Sequence, residues 1–363
     1  MTYSIVIIAL GILMYVFYAF RSLRSASLTG ASFLILSLFL NSVSAAPAYD
    51  KKTFSNFSIL HADKLDFKED RSELVGGVEI QFGKFILSSP EAFVLLNKED
   101  QKPKSIKFTG GVLMSSDEVN IKAKEIEINL KESLFKCTGD PDVVTVYGKE
   151  EKTTIVANVQ DYNLTTGLVR AFSNETGEQI QILGNKRSAF ADHAELKTSK
   201  KSTKKNKTGV ESITLDGNVV LIDEDKRIEA GDIFYWIAGD IIRINNNAKV
   251  LFYTKKGDPI HLFADLMTLE KEKDVLSASM RDIKEQVRIY SEGFYGKGRQ
   301  VYVNRKNGDP DTAVLTGNAF VQFEDKALSG EEVHFDLNKK KISSLVGRPT
   351  TTIFSHDSQK SKQ

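Results

Sequence analysis

Short stretches that alternate apolar and polar residues recur through most of this chain, and two of them are nearly the same. LDGNVVLIDED at 215–225 is followed one hundred residues later by LTGNAFVQFED at 315–325. Alternation with a period of two residues places successive side chains on opposite faces, as in a strand that is buried on one side. Glycine, asparagine, aspartate or proline separates most of these stretches. The pattern predicts an all-β protein with many strands.

A turn residue precedes the alternating pattern at regular intervals. These turn positions are Gly76, Gly110, Gly217, Asn246 and Gly317. Their intervals of 34, 107, 29 and 71 residues lie close to whole multiples of about 34. Glycine, and asparagine to a lesser degree, tolerates the positive φ that a tight turn requires. We predict about nine copies of a unit made of two strands and their turns.

The residues after each turn predict which face of the strand is buried. The first and third positions are apolar in all five copies: Val78 and Ile80, Val112 and Met114, Val219 and Leu221, Ala248 and Val250, and Ala319 and Val321. The second position is mixed and includes Glu79 and Lys249. Because alternate side chains of a strand point to opposite faces, the first and third positions should face inward.

The N-terminal segment 1–45 predicts export. Two long apolar runs lie on either side of a pair of arginines, and small residues typical of a signal-peptidase site precede Ala46. Translation from Met1 would add an apolar run that anchors the protein in the inner membrane. Translation from Met14 would give an ordinary signal peptide. Both alternatives place the rest of the chain outside the cytoplasm.

Composition and motifs argue against an enzyme and against nucleic-acid binding. The 49 basic and 48 acidic side chains give a net charge of +1, so a strong positive field is lacking. The single cysteine, Cys137, is interpreted as a small buried residue. Phosphate-loop, metalloprotease and serine-hydrolase motifs are absent, and the five histidines lack the spacing of a metal site. We therefore predict no catalytic residue, no metal and no cofactor.

Segments 213–240 and 313–342 resemble the repeat units of the OstA-like family of lipopolysaccharide-export proteins, of the LptA, LptC and LptD N-domain type. The matches are the two L-x-G-N turns and the acidic residues Asp232 and Glu332, which open the next strand. The resemblance is looser over 54–198. It implies a β-jellyroll of two facing antiparallel sheets in the periplasm of a Gram-negative bacterium, with an apolar groove for lipopolysaccharide acyl chains. It also implies end-to-end association with related proteins at the inner and outer membranes, self-association included, and no catalysis.

If the chain binds lipid, its apolar strand residues are candidates to line the groove. These candidates are Val78, Ile80, Val112, Met114, Val219, Leu221, Phe234, Trp236, Val250 and Val321. Phe234 and Trp236 belong to IFYWIAG at 233–239, which is apolar on both faces. Either one face packs on the core and the other on a neighbouring domain, or one face lines the groove.

The chain is longer than a single-domain bridge protein of that family, which predicts two jellyroll domains in tandem, at 54–198 and 211–355. The lysine-rich segment 199–210 between them is interpreted as a linker or a long hairpin loop, with contact to anionic lipid head groups as the alternative. A polar tail, 356–363, ends the chain.

A second class of function stays open from the sequence. A structural or assembly β-solenoid, such as an envelope scaffold or adhesin-like module, would fill its interior with side chains and carry aromatic or charged ladders outside. A polysaccharide-cleaving β-helix would need several carboxylates on one face, and the sequence offers no such cluster.

Overall fold

The structure, a computed structural model, consists of antiparallel strands. It describes residues 57–99, 102–117, 119–147, 153–173, 178–184, 187–198, 210–223, 226–236, 239–254, 256–270, 273–306, 309–323, 326–347 and 350–353. The N-terminal segment 1–45 and the tail 356–363 lie outside these residues. The strands are β1 (Phe57–His61), β2 (Lys64–Phe67), β3 (Arg71–Phe82), β4 (Phe85–Leu96), β5 (Pro103–Thr109), β6 (Val112–Ser115), β7 (Val119–Ala123), β8 (Glu125–Asn129), β9 (Leu134–Tyr147), β10 (Thr153–Asn163), β11 (Leu168–Phe172), β12 (Ile180–Gly184), β13 (Arg187–Ala191), β14 (His193–Thr198), β15 (Val210–Asp223), β16 (Lys226–Trp236), β17 (Ile241–Tyr253), β18 (Pro259–Glu270), β19 (Val275–Ser279), β20 (Val287–Ser291), β21 (Phe294–Gly298), β22 (Gln300–Lys306), β23 (Asp309–Phe323), β24 (Lys326–Asp336), β25 (Lys341–Val346) and β26 (Thr350–Ile353).

The long strands bend halfway and contribute to two sheets. β3, for example, pairs with β2 over 72–75 and with β1 over 79–82, with a shift of register between Val75 and Val78 on its pairing with β4. Sheet 1 contains β1, β6, β7, β12, β13, β20, β21 and β26, and sheet 2 contains β2, β5, β8, β11, β14, β19, β22 and β25. Each long strand supplies one half to each sheet. The predicted fold class, an all-β jellyroll of two facing antiparallel sheets, is confirmed.

At five of the bends between the sheets, a pair of residues adopts the left-handed conformation. The predicted turn positions all have positive φ: 82° at Gly76, 86° at Gly110, 77° at Gly217, 63° at Asn246 and 71° at Gly317. In each case the next residue also has positive φ. Residues with a side chain rarely adopt this conformation, which explains why glycine and asparagine recur at this point of the unit.

An acidic side chain of the neighbouring rung occupies the space beside two of the bend glycines, Gly76 and Gly217. A Cβ atom at Gly76 would lie 2.2 Å from Oδ2 of Asp63, and one at Gly217 would lie 2.3 Å from Oδ2 of Asp192. The Nδ2 group of Asn218 donates a hydrogen bond of 3.0 Å to the same Asp192 oxygen. At the Gly217 bend, the glycine, the asparagine and the acidic residue of the repeat therefore act together.

Gly217→Ala should lower the free energy of unfolding by about 2–3 kcal/mol, because left-handed strain adds to the clash with Asp192. Gly257→Ala is the matched control, since Gly257 also has positive φ (87°) but an added Cβ would meet nothing within 4 Å. The control should lose about 1 kcal/mol. Urea denaturation measures both, and equal losses would show that the Asp192 contact contributes nothing.

The residues after each bend are buried in the predicted alternation. Val78, Ile80, Val321 and the other first and third positions are at most 3% exposed. Glu79 and Lys249 at the second position are exposed. Inward and outward faces were therefore predicted correctly for this part of the repeat.

The ladder of strands continues through the lysine-rich region. β14 pairs with β15 from His193↔Asp216 to Thr198↔Val210, and β13 pairs with the other half of β15. Residues 199–209 lie outside the described part of the chain but connect two strands that pair with each other. The described strands thus continue as one pair of sheets on both sides of residues 199–209. Separate folding of 54–198 and 211–355 stays a prediction that strand pairing does not test.

Candidate functional site

The interior between the sheets is lined by long rows of apolar side chains. Row 1, on sheet 1, follows directly paired residues across sixteen strands: Ile80, Leu87, Met114, Ile121, Thr145, Ile155, Ile182, Ala189, Leu221, Ile228, Val250, Leu262, Ile289, Gly296, Val321 and Leu328. At the ~4.8 Å spacing of neighbouring strands this row is about 70 Å long. It runs through nearly the whole described ladder.

Row 2 lies opposite, on sheet 2, and is built in the same way. Its members are Leu74, Ala92, Phe108, Ile126, Cys137, Gln160, Ala171, Ala194, Leu215, Ile233, Ile244, Met267, Ala278, Val301, Leu315, Val333 and Leu345. Most residues of both rows are less than 5% exposed. The two sheets therefore pack face to face, and their own side chains fill the space between them.

Eight of the ten groove candidates face this interior. Five of them belong to row 1: Ile80, Met114, Leu221, Val250 and Val321. The other three lie two residues closer to the bend on the same face: Val78, Val112 and Val219. Their orientation is inward, as predicted. Contact with lipid stays a prediction.

Phe234 and Trp236 face outward, so their placement in the groove was wrong. Trp236 is 42% exposed, while Ile233 and Tyr235 are 1% exposed. Pairing decides this orientation, because Ile233 lies opposite buried Leu215, and Tyr235 opposite buried Ile213. The Tyr235 hydroxyl donates to Oδ1 of Asp240 at 3.1 Å, and burial raises the pKa of this phenol.

Aromatic clusters close the side opposite the bend, which we call the seam. At one end of the ladder, Phe82 and Phe85 of sheet 1 lie 6.3 Å and 6.2 Å from Phe135 of sheet 2, measured between ring centroids. All three side chains are at most 4% exposed. Because each strand turns back within its own sheet at the seam, side-chain contacts hold the two sheets together there.

The other end of the seam is closed in the same way. Phe335 of sheet 2 stacks on Phe294 of sheet 1 with 3.9 Å between centroids, and lies 6.0 Å from Phe323. An ion pair of 3.3 Å joins Lys340, in the turn between β24 and β25, to Asp258, before β18. This pair crosses the seam as well, so both apolar and charged contacts link the two edges.

A polar cluster interrupts the apolar interior where β9 meets β10. Oγ1 of Thr145 lies 2.7 Å from Oε1 of Gln160 and 2.8 Å from the hydroxyl of Tyr162. The Tyr162 hydroxyl also donates to Oε1 of Gln160. Cys137 lies beside Gln160, and burial raises the pKa of its thiol, in agreement with the small buried residue expected at that position.

The outer faces of the two sheets differ in chemistry. On sheet 2, directly paired outward residues alternate in charge over six strands: Lys107, Glu127, Lys136, Asp161, Arg170 and Glu195. On sheet 1, near the C-terminal end, Tyr290 stacks between His261 and Phe263 at 4.8 Å and 5.4 Å, with Arg288 over the Phe263 ring. Charged and aromatic ladders thus cover opposite outer surfaces.

The first rung of the described ladder, β1 and β2, exposes apolar side chains. Ile59, Leu60 and Leu65 are 41–49% exposed, and Phe67 is 79% exposed. Within the described residues, β1 and β2 pair only with β3. At the other end of the ladder Val346 of β25 is 51% exposed. Exposed edges of this kind are the places where strands of another chain add to a sheet.

Comparison with known proteins shows a partial structural likeness. No family model matches the chain, and no curated protein matches it. A solved structure of LptH from Pseudomonas aeruginosa, described as the LptA-homologous periplasmic component of the lipopolysaccharide transport device, matches with a TM-score of 0.31 and 11% identity. The match covers 37% of this chain and 98% of LptH. At this identity and TM-score the likeness assigns no function.

Two further features bear on the kind of protein. Across the described ranges, no helix has the length and apolarity that a membrane span requires. In the same residues, no three histidine, cysteine or acidic side chains gather as a metal site would need.

Proposed function

We propose that this protein is a non-enzymatic, periplasmic lipopolysaccharide-binding protein that carries lipid acyl chains between its two sheets, as part of a bridge to the outer membrane. The observation that supports this proposal is the pair of apolar rows, which run from one end of the ladder to the other. An ordinary sandwich needs a core only a few strands wide, whereas this interior extends over about 70 Å.

Acyl chains enter this interior when the sheets move apart at the seam. The bend joins the sheets covalently along one side, while the seam is held by side chains such as Phe335 and the Lys340–Asp258 pair. Exchanging contacts between apolar side chains for contacts with acyl chains changes the free energy little, since both partners are apolar. Interior packing is therefore compatible with reversible lipid entry.

A photo-crosslinking amino acid at an inward position should capture lipopolysaccharide in living Gram-negative cells. We expect capture at Leu221 and Val219, which face the interior, and none at Lys249 or Trp236, which face outward. Immunoblotting for the lipid on the purified protein measures the result. Equal capture on both faces, or crosslinks to protein alone at Leu221, would contradict the carrier function.

Partners at the two ends of the ladder are proposed to be related β-jellyroll proteins at the inner and outer membranes, or further copies of this chain. Leu60→Lys with Phe67→Lys should weaken end-to-end association about tenfold, because charge on an edge strand opposes pairing. Ile86→Lys is the matched control, since Ile86 is 39% exposed but lies away from the edge. Sedimentation of the purified protein measures association, and an equal effect of the control would reject the edge as the contact.

A structural or assembly module without lipid transfer is the second candidate. The observation that favours it is the filled interior together with the outer ladder of Tyr290, His261 and Phe263. Co-purification distinguishes the two functions. A carrier made in a Gram-negative host retains lipopolysaccharide after gentle purification, whereas a scaffold retains none.

A further inference from the structure

Both interior rows are interrupted at the same place. Thr145 in row 1 and Gln160 in row 2 are each 0% exposed, and Tyr162, one step along β10 from Gln160, is 4% exposed. All other described members of the two rows are apolar residues or glycine. A polar residue at one inward position would be unremarkable in a long ladder, but here two facing rows carry polar groups on adjoining strands.

Hydrogen bonds of this cluster connect the two sheets. Thr145 lies on the half of β9 that belongs to sheet 1, and Gln160 and Tyr162 lie on the half of β10 that belongs to sheet 2. Nε2 of Gln160 donates to the carbonyl oxygens of Val143 at 3.0 Å and Ile155 at 3.3 Å, both on sheet 1. Oε1 of Gln160 accepts from the two hydroxyls. Gln160 is thus the shared centre of the cross-sheet contacts.

Separating the two sheets to admit an acyl chain costs more free energy at this cluster than along the apolar rows. Along the apolar rows an acyl chain replaces one apolar contact with another. At the cluster, a chain between the sheets would leave the Gln160 amide and the Thr145 and Tyr162 hydroxyls without partners in surroundings that exclude water. Polar groups left unsatisfied in this way are strongly unfavourable. An acyl chain should therefore avoid this layer.

We propose that the Thr145–Gln160–Tyr162 cluster is a polar barrier that divides the lipid path into two compartments. The N-terminal compartment includes the four strands of row 1 from Ile80 to Ile121, and the C-terminal compartment the eleven strands from Ile155 to Leu328. A chain passes from one to the other only when the hydrogen bonds of the cluster break. This inference rests on the proposed carrier function and specifies where the movement of acyl chains along the interior is hindered.

The test compares crosslinking close to the barrier with crosslinking farther from it. Photo-crosslinking residues are placed in row 1 at Ile121 and Ile155, which flank Thr145, and at Leu87 and Ala189, each three strands away. The purified exported protein is incubated with purified lipopolysaccharide and irradiated. We expect the distant pair to capture about fivefold more lipid than the flanking pair, because chains avoid the polar layer.

An apolar variant of similar shape provides the comparison. In Thr145→Val/Gln160→Met/Tyr162→Phe, the four positions should capture lipid within about twofold of one another. Thr145→Ser keeps the hydroxyl and should behave like the wild type. If the triple variant does not melt cooperatively, Gln160→Met alone removes the shared acceptor and gives the same test.

Two results would overturn the barrier: equal capture at all four positions in the wild type, or an unchanged ratio in the apolar variant. A purely structural cluster would produce one of these results, because its loss would change stability without moving lipid along the row. Lipid capture at none of the four positions would instead reject the carrier function, and the barrier with it.

Discussion

Leu221→Asp is expected to lower the free energy of unfolding by about 4 kcal/mol or more, because it places an unpaired charge inside the apolar interior. Leu221 is 3% exposed and lies in row 1 between Ala189 and Ile228. None of these neighbours offers a hydrogen bond to a carboxylate. The same reasoning applies to Val321→Asp, which lies in row 1 near the other end of the ladder.

Val220→Asp is the matched control for this prediction. Val220 precedes Leu221 on β15 but faces outward and is partly exposed, so a carboxylate there remains solvated. Its loss should be about 1 kcal/mol or less. Thermal melts of the purified protein measure both variants. Losses of similar size on the two faces would contradict the arrangement of inward and outward residues along β15.

Sequence alone predicted positive φ at a repeated position and the burial after it, but it predicted a turn between two strands, whereas Gly76, Gly217, Asn246 and Gly317 lie inside long strands. One position of the repeat requires positive φ, and glycine or asparagine meets this requirement most easily. Gly217 and Gly317 therefore mark that position in two of the repeats. The two residues that become inward then follow at fixed distances. Counting from Gly217 and Asn218 shows which alternate residues face inward, and Val219 and Leu221 are assigned to the interior on that basis.

The alternation of apolar and polar residues does not predict which side chains of 233–236 face inward, because all four residues are apolar or aromatic. The orientation of Trp236 depends on which residue of β15 lies opposite each residue of β16, and this pairing joins positions about twenty residues apart. The structure places Tyr235 inward, with its hydroxyl donating to Asp240 at 3.1 Å, and Trp236 outward.

The polar cluster was detectable in principle from the same alternation. In VVTVY, Thr145 falls on the inward phase of β9, and in NVQDYN both Gln160 and Tyr162 fall on one face of β10. The sequence alone does not predict that β9 and β10 bring these three residues together across the two sheets. That contact depends on the bend of each strand, which in this region has no positive-φ pair to mark it among the described residues.

Composition alone leaves two interpretations of the lysine-rich segment open. A run of lysines without apolar residues is typical of linkers, but a connection between neighbouring strands has the same requirement for solvation. β14 and β15, on either side of 199–209, pair with each other, and whether the two halves fold separately stays a prediction.

Phe335→Ala should lower the free energy of unfolding by about 3–5 kcal/mol, the range for removal of a large buried aromatic side chain. Phe335 is 1% exposed and contacts both Phe294 and Phe323 across the seam. Its removal deletes these aromatic contacts, and the nearby Lys340–Asp258 pair compensates little, because partly exposed ion pairs contribute little to stability. The two sheets should therefore separate more readily at this end than at the other.

Local opening distinguishes a seam contact from a general loss of stability. In Phe335→Ala, amide hydrogen exchange should rise in β21 and β24, while β3 and β4, closed by the Phe82–Phe135 contact, should change less. Phe320→Ala is the control, since Phe320 faces outward beneath Lys297 and should cost about 1 kcal/mol. If exchange in Phe335→Ala rises equally in β3 and β24, the seam opens as one unit along its whole length, and the two aromatic clusters do not act as separate closures.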